Sequence, residues 1–170
     1  IARTVCKELH FDTRRKHYFG IGFPNIAGGY EIRNSFFKGC IAPKDISHFY
    51  AEEPKKVCFL FEGFMDFLSF MTLRRKENDG LKRQDYLVLN SVSNIQKALE
   101  PLSHYENVQC FLDTDEAGRN AYLQLSKELG KPVTDASTLY NGYKDLNEYL
   151  CAESKHSERA EIKKSKGLRL

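Results

Sequence analysis

The chain has 170 residues, 41% of them apolar and 29% charged, with a formal net charge of +3. That balance fits one globular domain, or one domain with an appendage, and no apolar run approaches the roughly 20 residues that a membrane-spanning helix needs. Five cysteines, odd in number and without a CxxC pair, argue against a disulfide framework or an internal zinc site and for a reducing, cytoplasmic setting.

The chain opens on Ile1 rather than Met and has no secretory pattern, so it is expected to be a piece of something longer. Residues 1–16 read as mixed and charged, ending in Arg14-Arg15-Lys16. Residues 17–23 read as a strand, Pro24-Asn25 and Ala27-Gly28-Gly29 as a turn, residues 30–34 as a second strand and 36–42 as a third. These make a small antiparallel subdomain within residues 1–52.

From Val57 the pattern switches to alternating strand and helix. A strand at 57–61 leads into a helix at 64–77, with Phe64, Phe67, Leu68, Met71 and Leu73 at near-helical spacing and a stop at Asn78-Asp79-Gly80. The Phe64, Phe67, Phe70 stripe reads as core. A second strand at 85–89 is followed by a polar loop at 90–94, where Ser93 or Asn94 caps a short helix starting near Ile95. A third strand at 108–112 precedes a helix at 116–129, which Gly130-Lys131-Pro132 ends. A weaker strand at 133–137 and a short helix at 145–151 complete the unit, placed at residues 53–152, and a basic tail follows at 153–170. The fold class is therefore α/β, with a parallel sheet of about four strands flanked by helices. In the order 2-1-3-4, the chain reverses between strands one and three and opens a crevice at their carboxyl ends.

Acidic residues sit at those two strand ends. Glu62-Gly63-Phe64-Met65-Asp66 follows the first strand, and Asp113-Thr114-Asp115-Glu116-Ala117-Gly118-Arg119-Asn120-Ala121 follows the third. Alternate residues of an extended chain point the same way, so Asp113 and Asp115 can share a divalent cation or hold two. Asp66, a helical turn beyond Glu62, either adds oxygen atoms to the site or serves its helix start. Carboxylates gathered at one crevice repel unless a cation joins them, and hard oxygen donors point to magnesium and phosphate chemistry. The charge distribution fits: residues 51–152 carry 12 Lys/Arg against 16 Asp/Glu, and residues 1–50 carry 8 against 4. The histidines at 10, 17, 48, 104 and 156 show no metal-ligand spacing.

The two acidic segments resemble the Toprim domain, a Rossmann-like fold shared by bacterial replicative primases, type IA and type II topoisomerases, recombination proteins of the RecR kind and OLD-type nucleases. Ala117-Gly118-Arg119-Asn120-Ala121 is most similar to the primase branch. Gly29-Tyr30-Glu31-Ile32-Arg33-Asn34 with Phe37-Lys38-Gly39 resembles the segment that precedes Toprim in primase polymerase domains. Lys144-Asp145-Leu146-Asn147-Glu148-Tyr149-Leu150 resembles a later Asp-Pro-Asp segment, although Asn147 stands where primases usually carry another aspartate.

The resemblance implies roles. Glu62 would be the general acid/base or a metal partner, Asp113 and Asp115 the magnesium-binding pair, and Asp66 and Asp145 accessory ligands, with manganese as a substitute metal. Arg33, Lys38, Lys44, Ser91, Gly118 and Arg119 are the residues expected to hold nucleotide or nucleic acid. Gly118 would let a phosphate approach the backbone, with the helix N-terminus behind it. The implied activity is magnesium-dependent synthesis of short RNA primers on single-stranded DNA from nucleoside triphosphates, in plasmid or mobile-element replication, with a helicase or other replication protein as partner. Two alternatives stay open: an OLD-type nuclease that uses the same metals, and a nucleic-acid-binding module whose catalysis is weak or lost.

Overall fold

Alternating side chains between Lys7 and Ile41 build an antiparallel sheet, and the computed structural model resolves it as four strands. The structure describes residues 2–13, 16–74 and 81–167, those from 158 onward as backbone alone. A short helix α1 (Ala2–Val5) leads into β1 (Lys7–Thr13), β2 (Lys16–Pro24), β3 (Tyr30–Arg33) and β4 (Lys38–Ile41), paired in that order. The expected three strands are present, and β1 is an addition: Leu9 and Phe11 alternate with Glu8, His10 and Asp12, a period-2 pattern masked by its charge. The turn between β2 and β3 carries Gly28 at φ 85°, the left-handed region where a side chain is strained.

The second sheet has five strands, in the order β5 (Ser47–Phe49), β7 (Asp85–Val88), β6 (Val57–Phe61), β8 (Asn107–Phe111) and β9 (Val133–Asp135). Strands β6 to β9 are parallel, as the alternation predicts, and they lie in the assumed order 2-1-3-4. The three-residue β5 joins antiparallel at the edge, ahead of the boundary expected at residue 52. The parallel strands carry side chains on both faces, and the two faces differ in chemistry. Leu60, Leu87, Val108 and Cys110 meet α3 (Ile95–Ser103) and α4 (Glu116–Leu129) in an aliphatic core. On the other face Phe61, Tyr86 and Phe111 meet α2 (Phe64–Leu73) and α5 (Leu146–Gly167) in an aromatic one. Phe61 and Phe111 stack with centroids 4.9 Å apart, and Phe64, Phe67 and Phe70 are core as expected.

Two expectations change. The helix expected at 145–151 runs on to Gly167, so residues 153–167 of the segment read as a tail are helical. Asn94 holds the N-cap position of α3, but its side chain makes no capping bond and donates to Leu89 O instead; the hydroxyl that caps is that of Ser91, accepting from Ser93 N at the start of the preceding 3₁₀ turn. The helix stop at Asn78-Asp79-Gly80, the Arg14-Arg15 pair and the side chains of Lys163, Lys164 and Lys166 lie outside the described residues. No described helix is long and apolar enough to cross a membrane.

Candidate active site

Pairing of β6 with β8 in register, Phe61 opposite Phe111, delivers the next residues of both strands to one edge. Glu62 and Asp113 meet there: Asp113 N donates to Glu62 Oε2 at 3.2 Å, and Glu62 N donates to Phe111 O at 3.3 Å. Asp66 lies in the first turn of α2, only 7% exposed, and accepts from Asn147 N at 3.2 Å. Asp145 caps α5 by accepting from Glu148 N at 2.7 Å. Lys144, one residue earlier, sets its ammonium 3.2 Å from Asp113 Oδ2. Thr114 fastens this segment by donating to Tyr143 O and Lys144 O, and its own N–H also reaches Lys144 O at 2.8 Å.

Glu62, Asp66, Asp113, Lys144, Asp145 and Asn147 line a cleft of about 710 Å³. The rest of the lining comes from the first sheet and its exit, with Glu31, Arg33, Lys38 and Lys44, and from the loop after β7, with Asn90, Ser91 and Val92. Eight of the expected residues thus converge: Glu62, Asp66, Asp113, Asp145, Arg33, Lys38, Lys44 and Ser91.

Asp115, Gly118 and Arg119 are placed differently. Asp115 is the N-cap of α4, accepting from Gly118 N at 3.0 Å, and it acts on Glu62 only as a nearby charge. Gly118 does not line the cleft; a Cβ there would lie 2.0 Å from Asp113 O, so glycine is required for the helix to press against the Asp113 backbone rather than for a phosphate to approach. Arg119 turns back to donate to Thr114 O.

The electrostatics record the crowding. Glu62 is pushed up to about 7, by burial first and by Asp113 next. Asp66 is likewise pushed up to about 7, by burial and then by Asp145 and Asp113. Burial also raises Asp113, although Lys144 pulls the other way. Glu31, from the first sheet, is raised by burial against the pull of Lys44, Lys38 and Arg33, which puts all three cations within its electrostatic reach. Two cleft-lining groups have a buried atom without a protein hydrogen-bond partner, Arg33 Nε and Asn90 Oδ1. Asn90 holds a left-handed backbone, φ 62°, and its amide nitrogen is taken by Asp45 O and Ser47 Oγ, which fixes the free oxygen. Lys144 and Glu31 lie inside segments that carry the resemblance, and Asn90 opens the polar loop placed at the acidic edge, but the sequence alone assigns none of the three a role of its own.

The donor set fits a hard divalent cation, being all oxygen and short of positive charge. Among the described residues no three His, Cys, Asp or Glu side chains are grouped to close on one ion. Magnesium does not need such a cage, since it usually takes one or two carboxylates and fills its octahedron with water and phosphate oxygens. Glu62 with Asp113, and Asp66 with Asp145, are the pairs available to it.

Comparison with known proteins agrees with this architecture. Residues 59–150 match the Toprim-like family, more than half of the chain, and the chain belongs to that family. Residues 1–42 match a second family, described as a domain of unknown function (DUF8464). Among solved structures, the chain is similar to the primase fragment of the bacteriophage T7 primase-helicase protein, with a TM-score of 0.60 and 20% identity over 91% of this chain and 65% of that one. It is also similar to a chain in the structure of the bacteriophage T7 lagging-strand DNA polymerase interacting with primase domains bound to an RNA/DNA hybrid and dTTP, with a TM-score of 0.55 and 18% identity over 89% and 78% of the two chains. At these identities the likeness is one of fold, and this chain spans 65% of the T7 primase fragment. The search of curated proteins gave no match.

Proposed function

We propose that this Toprim chain performs metal-dependent nucleotidyl transfer of the primase type, joining ribonucleotides on a single-stranded DNA template. The observation that carries the reading is one cleft lined both by carboxylates, Glu62, Asp66 and Asp113, and by the cations Arg33, Lys38 and Lys44. A triphosphate and a template strand need the cations, and the transfer itself needs the carboxylates. In that transfer a 3′ hydroxyl oxygen bonds to the α-phosphorus, the bond to the bridging oxygen breaks, and pyrophosphate leaves. A divalent cation, when bound, neutralises charge on the triphosphate and favours the ionised hydroxyl.

The chain's own residues have separable parts in this reading. Glu62, raised toward neutrality, is suited to receive the hydroxyl proton. Asp113, with Asp66 and Asp145, would supply the oxygen ligands, and Lys144 is near enough to exchange Asp113 for a phosphate. Arg33 Nε, a buried donor without an acceptor, is free to take a phosphate oxygen. Asp115 and Arg119 brace the loop that carries Asp113. The replication setting proposed is a plasmid or mobile element, with a helicase as partner, by analogy with the T7 primase-helicase protein.

The test is incorporation of labelled ribonucleotides on single-stranded DNA with magnesium or manganese. Asp113→Ala is expected to abolish synthesis while circular dichroism stays native; synthesis at the native level by this variant rejects the site. A second reading, a nucleic-acid-binding module with little catalysis, is favoured by Asn147. Its neutral amide donates to Ser69 Oγ at 2.9 Å, and its backbone to Asp66, where an aspartate would have added charge. Strong DNA binding with no incorporation under either metal selects that reading.

A further inference from the structure

Folding brings together two histidines that their spacing in the chain keeps apart. Antiparallel pairing sets His10 of β1 opposite Phe19 and His17 of β2 opposite Asp12, so the two imidazoles meet diagonally on one face of the first sheet. His10 Nδ1 lies 3.1 Å from His17 Nε2, and the rings stack with centroids 5.4 Å apart. Each outer nitrogen faces a carboxylate: His10 Nε2 is 2.7 Å from Glu8 Oε1, and His17 Nδ1 is 2.8 Å from Asp12 Oδ1. All four side chains are more than half exposed, so an ion in solution can reach them.

An ionised carboxylate only accepts, so each outer nitrogen is the one that carries a proton. A neutral imidazole has a single N–H, and with both protons outside, the inner nitrogens confront each other as two lone pairs. At 3.1 Å those lone pairs repel unless a cation lies between them. We propose that His10 and His17 form a two-histidine site for a borderline divalent ion of the zinc class, with Glu8 and Asp12 orienting the rings from behind and water completing the coordination.

The dimensions agree. Two zinc–nitrogen bonds of about 2.0–2.1 Å at the tetrahedral angle span roughly 3.4 Å, a few tenths more than the separation found, and small rotations of two exposed rings supply the difference. A carboxylate behind a ligating histidine fixes its tautomer and raises its basicity, and this pair has one behind each ring. Imidazole donors prefer zinc, copper or nickel to magnesium, which makes the site chemically distinct from the all-oxygen cleft. No third His, Cys, Asp or Glu joins the pair among the described residues, so the ion stays open to water and exchangeable. Its mechanical effect is to clamp β1 onto β2, next to the strand that presents Arg33.

The test is zinc titration into the full chain, carrying no polyhistidine tag, with excess magnesium present to compete at the carboxylate cleft. Calorimetry is expected to give one zinc per chain at this site, and X-ray absorption of the loaded protein to count two imidazole ligands. His10→Ala and His17→Ala should each weaken binding at least 10-fold, and Glu8→Gln or Asp12→Asn by about 10-fold. Affinity unchanged in both histidine variants overturns the proposal, as does an absorption spectrum with one imidazole or none. A native chain that binds no zinc, while NMR finds a single proton shared between the rings, also overturns it, because the cation between the nitrogens is then the proton alone.

Discussion

Glu62 and Asp66 hold protons near neutrality because burial strips water from their carboxyls and neighbouring acids add repulsion. Both folded values, about 7, stand above the ordinary 4.5 and 3.8. A carboxyl raised in this way contributes stability that is complete below its unfolded value and is lost as pH rises through the folded one. The metal-free chain is therefore expected to lose stability between about pH 4 and pH 7. Glu62→Gln should recover on the order of 1 kcal/mol at pH 8, after allowance for solvent screening, and nothing at pH 4. Thermal melts at the two pH values check this, and a variant less stable than the native chain at pH 8 contradicts it. Gly118 gives a second expectation. With Asp113 O only 2.0 Å from the position of an added Cβ, Gly118→Ala should cost about 2–3 kcal/mol in urea unfolding, because the obstacle is backbone and has no rotamer to yield.

The acidic ends of β6 and β8 were legible because apolar pentamers followed by charged, glycine-bearing turns have few other readings. The limits of β6 and α4 follow from the same periodicity, whereas the order of the parallel strands was an assumption, since hydrophobic spacing does not say which strands are neighbours. Other elements hid for physical reasons. β1 is charged on its exposed face, and β5 is only three residues long and is held by its neighbour rather than by its own pattern. Beyond Cys151, α5 carries no apolar stripe, so nothing in residues 152–167 distinguishes a projecting helix from a polar tail. At the site, the acids were readable from their motifs and the 90–94 loop from its place after the second strand, whereas Lys144 reaches Asp113 only through the turn before α5, and Glu31 joins them only once the two sheets are folded together. The connection before α5 belongs to this scale. Thr114→Val removes the hydroxyl that holds Tyr143 O and Lys144 O, and should cost about 1 kcal/mol of stability. It should also lower magnesium affinity several-fold by calorimetry, with Asp145 no longer fixed; unchanged affinity would detach that segment from the metal.

At the scale of the molecule, the cleft is lined from both units: Arg33, Lys38 and Lys44 come from the antiparallel sheet and its exit, and Glu62, Asp66 and Asp113 from the parallel-sheet unit. Binding of single-stranded DNA there should depend on salt, because each phosphate neutralised releases condensed counterions. Lys38→Ala and Lys44→Ala are each expected to reduce the slope of log K against log salt by about 0.7, the value for one contact to a single strand. Fluorescence anisotropy from low to moderate salt measures it, and a slope that neither variant alters would remove these lysines from the binding path.

Lys144 gives the cleft an ammonium of its own at 3.2 Å from Asp113. Under the proposed function, an arriving metal would therefore have to evict a tethered rival, which disfavours loading when no nucleotide is at hand. A triphosphate reverses that balance, because it offers the displaced ammonium somewhere to go. Metal and nucleotide are thereby coupled: each should bind more tightly in the other's company, and Lys144→Ala should make their arrivals independent.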